Sequence, residues 1–356
     1  MSFLQFIFII TLISSINNER IVRHPHDVFS KHPAFVESHR GVNREIFQNT
    51  LPAVERAIQY GVESFETDVW LTKDNVPVIL HGGSKGNLNG YYDHPGLVTE
   101  LTWAELSTYR TIEDNLPMPR LRDMMELTKD KIFMNLEIKD DRYDLVFEHV
   151  VNLIEEFDYF DQVAISSFHH GYYDKIAQYN KEKGRELVFG FLFSKGKQAQ
   201  YDYTKKGNTL NIYWTDATKE VCDKAHANGM AIQSWFNMGE EENTKIYKQL
   251  IENGADIICT NVPLLAKIFR DNYFDEIAFK TKGTDEEYFA KLESLEIGDL
   301  KGKSIAMCTE KAAMAQNLLS LFGFETYYCM GCVNHENKVE PHCFNIAKAK
   351  DSFRLL

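Results

Sequence analysis

The feature that most constrains this chain is an alternation between short β-forming runs and longer amphipathic stretches. The runs are Ala34–His39, Ser64–Leu71, Val76–His81, Ile132–Ile138, Val163–Phe168, Leu187–Phe193, Leu210–Trp214, Ala231–Phe236 and Ile257–Thr260. Between them, Leu51–Tyr60, Tyr143–Phe157, Tyr172–Lys183, Thr218–Asn228 and Glu241–Asn253 carry helical periodicity. Parallel strands need long crossover connections, which helices supply, so this alternation predicts an α/β fold with a parallel sheet. Lys73-Asp74-Asn75 reads as a hairpin turn with Val76–His81 as its return arm. Eight strands then remain, the number that closes a (β/α)8 TIM barrel. Gly61, Gly184, Gly229 and Gly254 each stand between a helical stretch and a strand, where a left-handed C-cap is wanted.

A barrel of about 250 residues leaves roughly 80 over, so a smaller second unit is expected. The chain turns polar and charged around residues 271–303, which places a linker at 276–303, after a barrel over 32–275 and before a C-terminal segment, 304–356. Phe3 to Ile13 is an apolar run followed by Ser14 and Ser15. It is shorter than the roughly 20 residues of a spanning helix, so residues 1–18 are expected to be a secretory signal and the protein secreted or in the secretory-pathway lumen. No Lys or Arg precedes the run, and no later segment is apolar enough to span. A net charge of −13 without a basic run argues against nucleic acid as a partner. The Cys329/Cys332 pair has no second such pair to complete a zinc site.

Acidic and histidine residues gather at the C-terminal ends of the first expected strands. His39-Arg40-Gly41 ends the first, and Glu66 and Asp68 stand two apart on the second, hence on one face. His81 ends the hairpin arm, and Glu137 with Lys139 repeats the two-apart spacing on the next strand. In a barrel these ends converge on one mouth, the usual place of an active site. Three carboxylates supply hard oxygen ligands suited to Mg²⁺ or Ca²⁺. Two histidines divide the proton work, one activating the nucleophile and one protonating the leaving alkoxide. Arg40 and Lys139 are placed to offset charge on phosphoryl oxygens. Alone, each element has a plainer reading: a solvated E-x-D face, a structural histidine, a Glu137–Lys139 ion pair. Their co-occurrence favours chemistry.

The block HRGVNREIFQNTLPAVERAIQYGVESFETDVWLTKDNVPVILH resembles the opening of the glycerophosphodiester phosphodiesterase family. NLEIK at 135–139, ISSF at 165–168, QSWF at 233–236 and GADIICTNVP at 254–263 are similar to its later blocks, in order. The resemblance implies a TIM barrel, metal ligands Glu66, Asp68 and Glu137, and acid/base roles for His39 and His81. Lys139, Phe168 and Trp235 would line the substrate pocket, where Arg40 is already placed by its position at the strand end, although Trp235 also reads as a barrel-packing aromatic. The implied reaction is hydrolysis of a glycerophosphodiester to glycerol 3-phosphate and an alcohol. Related barrels act on lysophospholipids or transfer the phosphoryl group within the substrate, and a barrel that binds without turnover is a third reading. One departure stands out: the family usually has His-Asp where this chain has His81-Gly82-Gly83. The segment SKGNLNGYYDHPG (84–96) that follows predicts a distinct loop over the mouth, with Asp93 and His94 as candidates to compensate.

The C-terminal segment resembles a transglutaminase-like thiol enzyme core, with CTEKAAMAQNLLSLFG, then strand-like ETYYCMG and PHCFNIAK. Cys308 would open a helix whose dipole stabilises its thiolate, and His342 would deprotonate it. Such a core is normally completed by an Asp further along than Asp351, so a truncated or accessory unit is the competing expectation.

Overall fold

The computed structural model describes residues 34–202 and 208–270, and the backbone of three strands at 325–335, 338–349 and 352–355. Its contacts divide the chain into two units, the second holding Asn243–Lys248 and the residues from Leu265 on. The expected signal at 1–18, the linker at 276–303 and Cys308 lie outside the described residues.

In the first unit the strands are β1 (Phe35–His39), β2 (Ser64–Leu71), β3 (Pro77–Ile79), β4 (Phe133–Ile138), β5 (Val163–Ser167), β6 (Val188–Leu192), β7 (Thr209–Tyr213), β8 (Ala231–Trp235) and β9 (Ile257–Thr260). They pair in the order β1-β9-β8-β7-β6-β5-β4-β2-β3, and β1 also pairs with β2, so eight parallel strands close a barrel. The ninth, β3, is antiparallel to β2, with Val69 opposite Ile79 and Leu71 opposite Pro77. The predicted (β/α)8 barrel and its hairpin arm are therefore both present.

Helices Leu51–Tyr60, Leu121–Thr128, Tyr143–Phe157, Tyr172–Lys183 and Lys219–Ala227 cross over between strands. Each turns an apolar stripe inward; Tyr143–Phe157, for example, buries Val146, Val150, Val151, Leu153 and Ile154. Gly61 and Gly184 cap their helices at φ 65° and 62°, as the spacing predicts. β1 and β2 are buried along their whole length, because the barrel interior covers one face and the helices the other. The segment after β3 packs Leu80, Leu88, Tyr92, Val98 and Leu106 into an apolar cluster with Trp70 of β2, which fixes the 84–96 loop to the barrel. At the N-terminal end of the strands the interior is closed to a void of about 30 Å³ around Glu37 and Asn135. The open space lies at the other end.

The C-terminal strands β10 (Glu325–His335), β11 (Lys338–Ala349) and β12 (Ser352–Leu355) form an antiparallel sheet. The two strand-like runs expected there pair with each other, Gly331 opposite His342. Among the described residues no helix is long and apolar enough to cross a membrane.

Candidate active site

The site starts from the backbone at the end of β1. Arg40 and Gly41 both take left-handed conformations, φ 56° and 78°, which turn the chain away from the barrel mouth. A Cβ on Gly41 would lie 2.7 Å from the carbonyl carbon of Ala53, so only glycine fits against the first crossover helix. The turn aims the Arg40 N–H at Glu66 Oε2 (3.2 Å) and brings Arg40 Nε to 3.3 Å from Asp68 Oδ2. Arg40 Nη1 is held by Gln48 Oε1 at 2.8 Å.

The strand period of two places Glu66 and Asp68 together, and the β2–β4 register sets Asp68 opposite Glu137. One carboxylate oxygen from each of Glu66, Asp68 and Glu137 lies within 4.8 Å of the others, all three residues being buried. Lys139 Nζ sits 2.9 Å from Glu137 Oε1 and 3.5 Å from Asp68 Oδ1. Asn49, in a left-handed conformation just before the first crossover helix, donates to Asp68 Oδ2 at 2.7 Å and accepts from the Thr67 hydroxyl at 2.8 Å.

Burial and the neighbouring Asp68 push the Glu66 carboxyl well above its ordinary range. Burial also raises Glu137, despite Lys139 beside it. Burial works the same way on Asp68, but Arg40 and Lys139 outweigh it and hold Asp68 below the usual carboxylate range. Three buried carboxylates thus face two cations, and Glu66 is the one whose ionised form is least supported without a further positive charge. Glu66 Oε1 and Asp68 Oδ1 are buried with no hydrogen-bond partner among the described residues. An all-oxygen donor set, buried carboxylate oxygens without hydrogen bonds and one carboxylate more than there are cations suit a hard divalent cation.

Two histidines flank this cluster. His39 Nδ1 lies 2.9 Å from Asn261 Oδ1, and its Nε2 lies 3.8 Å from Glu66 Oε2. The Asn261 amide is itself oriented, since its Nδ2 donates to Glu242 Oε1 (2.8 Å) and to the Asn237 carbonyl (3.0 Å). Asn43 Nδ2 donates to Asn261 Oδ1 at 2.8 Å. That oxygen is therefore an acceptor, His39 carries its proton on Nδ1, and Nε2 is bare. His81 has the opposite arrangement. The Gly83 N–H, which can only donate, points at His81 Nδ1 (3.4 Å), and the Tyr91 hydroxyl lies 2.8 Å from the same nitrogen. Nδ1 is then the bare atom and Nε2 carries the proton. Burial lowers both histidines to about 3, aided by Arg40 in each case, so both are neutral at pH 7.

His39, Arg40, Glu66, His81, Glu137, Lys139, Phe168 and Trp235 line one cavity of about 510 Å³ at the C-terminal ends of the strands. Phe168 and Trp235 meet edge to face across it, ring centroids 6.4 Å apart. Phe168 and Met238, 42% and 39% exposed, give its rim an apolar edge. Of the residues singled out in the sequence, Asp93 and His94 do not enter: they turn to each other (2.9 Å), and His94 stacks on Tyr109. His342 lies on β11 opposite Gly331 of β10, and Cys308 is outside the described residues. Asn49, Tyr91 and Asn261 are brought in by the fold alone. Asn49-Thr50, directly before the stretch Leu51–Tyr60, and the TNVP string at 260–263 contain two of them, but nothing in either string states which side chain they hold.

Comparison with known proteins gives the same picture. Residues 39–265 match the glycerophosphoryl diester phosphodiesterase family. A glycerophosphodiester phosphodiesterase of Bacillus altitudinis is 31% identical over 239 residues, 64% of this chain and 94% of that protein. One from Caldanaerobacter subterraneus subsp. tengcongensis is 26% identical over 243 residues, 64% of this chain and 94% of its own length. Among solved structures, an Oleispira antarctica phosphodiesterase in complex with the product sn-glycerol-3-phosphate superposes with a TM-score of 0.59, at 21% identity, covering 68% of this chain and 99% of that one. A glycerophosphodiester phosphodiesterase of Parabacteroides distasonis gives 0.56 at 19% identity, covering 68% and 100%; at such identities these likenesses speak to the fold. With the family matched over most of the chain and its barrel in place, this protein belongs to the glycerophosphoryl diester phosphodiesterase family and is a phosphodiester hydrolase.

Proposed function

We propose that the barrel hydrolyses glycerophosphodiesters to glycerol 3-phosphate and an alcohol, with His39 as base, His81 as acid and a divalent cation held by Glu66, Asp68 and Glu137. The observation that carries this reading is the hydrogen bonding at the two histidines, an acceptor facing His39 Nδ1 and donors facing His81 Nδ1, beside one three-carboxylate cluster. His39 Nε2, bare and on the Glu66 side, takes the proton of the attacking water. His81 Nε2–H gives its proton to the departing alkoxide. The imidazolate this leaves is stabilised by the Tyr91 hydroxyl at Nδ1 and regains a proton from solvent, while His39 returns the proton it took. Arg40 and Lys139 offset charge on the non-bridging oxygens. Mg²⁺ or Ca²⁺, when bound, supplies Lewis-acid polarisation of the phosphoryl group. With either ion the site's net charge becomes positive by one, which complements a phosphodiester monoanion.

The test is product analysis with glycerophosphocholine and glycerophosphoinositol, in Mg²⁺, Ca²⁺ or excess EDTA. Glycerol 3-phosphate and free alcohol are expected with metal and not with EDTA. Binding of metal and diester without turnover would instead support a non-catalytic barrel. A second reading, a lysophospholipase D-like activity, is favoured by the apolar rim of Phe168 and Met238. Lysophosphatidylcholine turned over faster than glycerophosphocholine would select it, and a cyclic glycerol phosphate product would select phosphoryl transfer within the substrate. Secretion rests on the apolar run at Phe3–Ile13 alone. N-terminal sequencing of protein exported from cells should find the chain starting near residue 19.

A further inference from the structure

We infer that Tyr91 is the positioning residue that keeps His81 a proton donor, its hydroxyl acting in place of a side chain that position 82 cannot carry. The inference deepens the proposed function and rests on it.

The first observation is steric. Gly82 has φ +60°, and a Cβ there would lie 2.7 Å from Gly86 Cα and 2.9 Å from its carbonyl carbon. The chain doubles back so tightly that the Asn87 N–H reaches the Gly82 carbonyl at 2.7 Å. Gly86 is equally confined, since its Cβ would meet Val98 Cγ1 at 2.5 Å and the Trp70 ring at 3.2 Å. Trp70 in turn donates to the His81 carbonyl at 3.2 Å. No orienting side chain can therefore stand directly after His81.

The second observation is where the tight turn delivers the chain. Tyr91 is pinned at both backbone ends, its N–H on the Leu88 carbonyl (3.0 Å) and its carbonyl taking the Ile112 N–H (3.1 Å). Tyr92, 5% exposed, anchors it in the cluster with Trp70, Leu88 and Val98. From this mount the phenol reaches His81 Nδ1 at 2.8 Å, while the ring centroids stand 6.1 Å apart at 51°, so the contact is a hydrogen bond and not a stack.

The third is the direction of that bond. The Gly83 N–H already assigns His81 Nδ1 as an acceptor. The phenol must then donate, and burial, which raises Tyr91 above its ordinary range, keeps it protonated. Tyr91 thereby favours the Nε2–H tautomer, the one that protonates a leaving group, and sets the plane of the ring.

The experiment compares Tyr91→Phe with wild type on two substrates that share the glycerol phosphate half. An alkyl ester such as glycerophosphocholine needs its leaving oxygen protonated, whereas a p-nitrophenyl ester leaves as a stable phenolate. The expected result is a drop in kcat of about tenfold or more on the alkyl ester, from a general-acid contribution of order 10²–10⁴, with KM little changed. On the p-nitrophenyl ester less than threefold is expected, and His81→Asn should show the same selectivity. An equal fall on both esters, or no fall on either, overturns the proposal. Imidazole ¹⁵N shifts provide a readout that needs no turnover: wild type should show His81 with Nδ1 bare, and Tyr91→Phe a mixture of tautomers. Nδ1–H in wild type would overturn the proposal even in an active enzyme. A wild type with the expected tautomer that cleaves neither ester refutes the hydrolase reading, and with it any acid role for His81.

Discussion

Replacing Glu66 by Gln should move the metal-free and metal-bound protein in opposite directions. In the metal-free protein Glu66 is a buried carboxyl raised by burial and by Asp68, with Oε1 unpartnered. At the 4.8 Å limit of the cluster, two full charges repel by about 3.5 kcal/mol at an effective dielectric of 20. Arg40 and partial protonation of Glu66 relieve some of this, so Gln should stabilise the metal-free fold by about 1–2 kcal/mol, or roughly 2–8 °C in Tm. The sign with pH is fixed. Because the folded carboxyl titrates above its ordinary 4.5, ionisation costs the native state more than the unfolded chain, and the variant's advantage grows as pH rises from 4.5. The ion reverses the order: at a hundredfold excess over Kd it adds about 2.7 kcal/mol to wild type and little to the variant. Thermal melts in EDTA and in saturating Mg²⁺ or Ca²⁺ would show the two proteins crossing. A variant that melts below wild type in EDTA, with both gaining equally from metal, would refute the reasoning.

The remaining predictions concern the groups around this cluster. Asn261→Ala removes the acceptor of His39 Nδ1–H and should lower kcat by about 10²-fold or more with KM little changed, as measured by initial rates. His39 is lowered from 6.5 to about 3, so below pH 6.5 the unfolded chain takes up a proton that the fold excludes, and stability falls with pH through that window. In urea titrations of metal-free protein, the stability difference between wild type and His39→Asn should shift against wild type by up to about 1.4 kcal/mol per pH unit below 6.5. Gly82→Asp, although it restores the family's residue, should destabilise by about 2 kcal/mol or more and give no gain in kcat, because its Cβ overlaps Gly86.

Much of this was legible in the sequence because it depends on local period. Two-apart spacing puts Glu66 with Asp68 and Glu137 with Lys139, and glycines after helical stretches mark the caps. The helix Leu121–Thr128 has no counterpart among the stretches read from periodicity; its start is fixed by Asp123, which binds the Arg120 N–H at 3.0 Å. Contacts across the barrel were not legible. Asn261 and His39 are 222 positions apart, and only closure of β9 on β1 brings them together. Tyr91 lies in a segment without periodicity, where Asp93 and His94 are the more conspicuous polar residues, yet the loop's apolar anchor selects which side chain faces the mouth. Lys139 reads from sequence either as a phosphate ligand or as Glu137's ion partner, and the structure places it between Glu137 and Asp68, on the wall of the same cavity.

The most direct test of the central claim is metal-dependent release of glycerol 3-phosphate from glycerophosphocholine by wild type, Glu66→Gln and His39→Asn, each shown to be folded by its melting curve. The predicted result is release by wild type that stops in EDTA and returns with Mg²⁺ or Ca²⁺, and a loss of at least a hundredfold in both variants. Release that survives EDTA, or that either variant retains, would contradict a reaction carried by these residues at the barrel mouth.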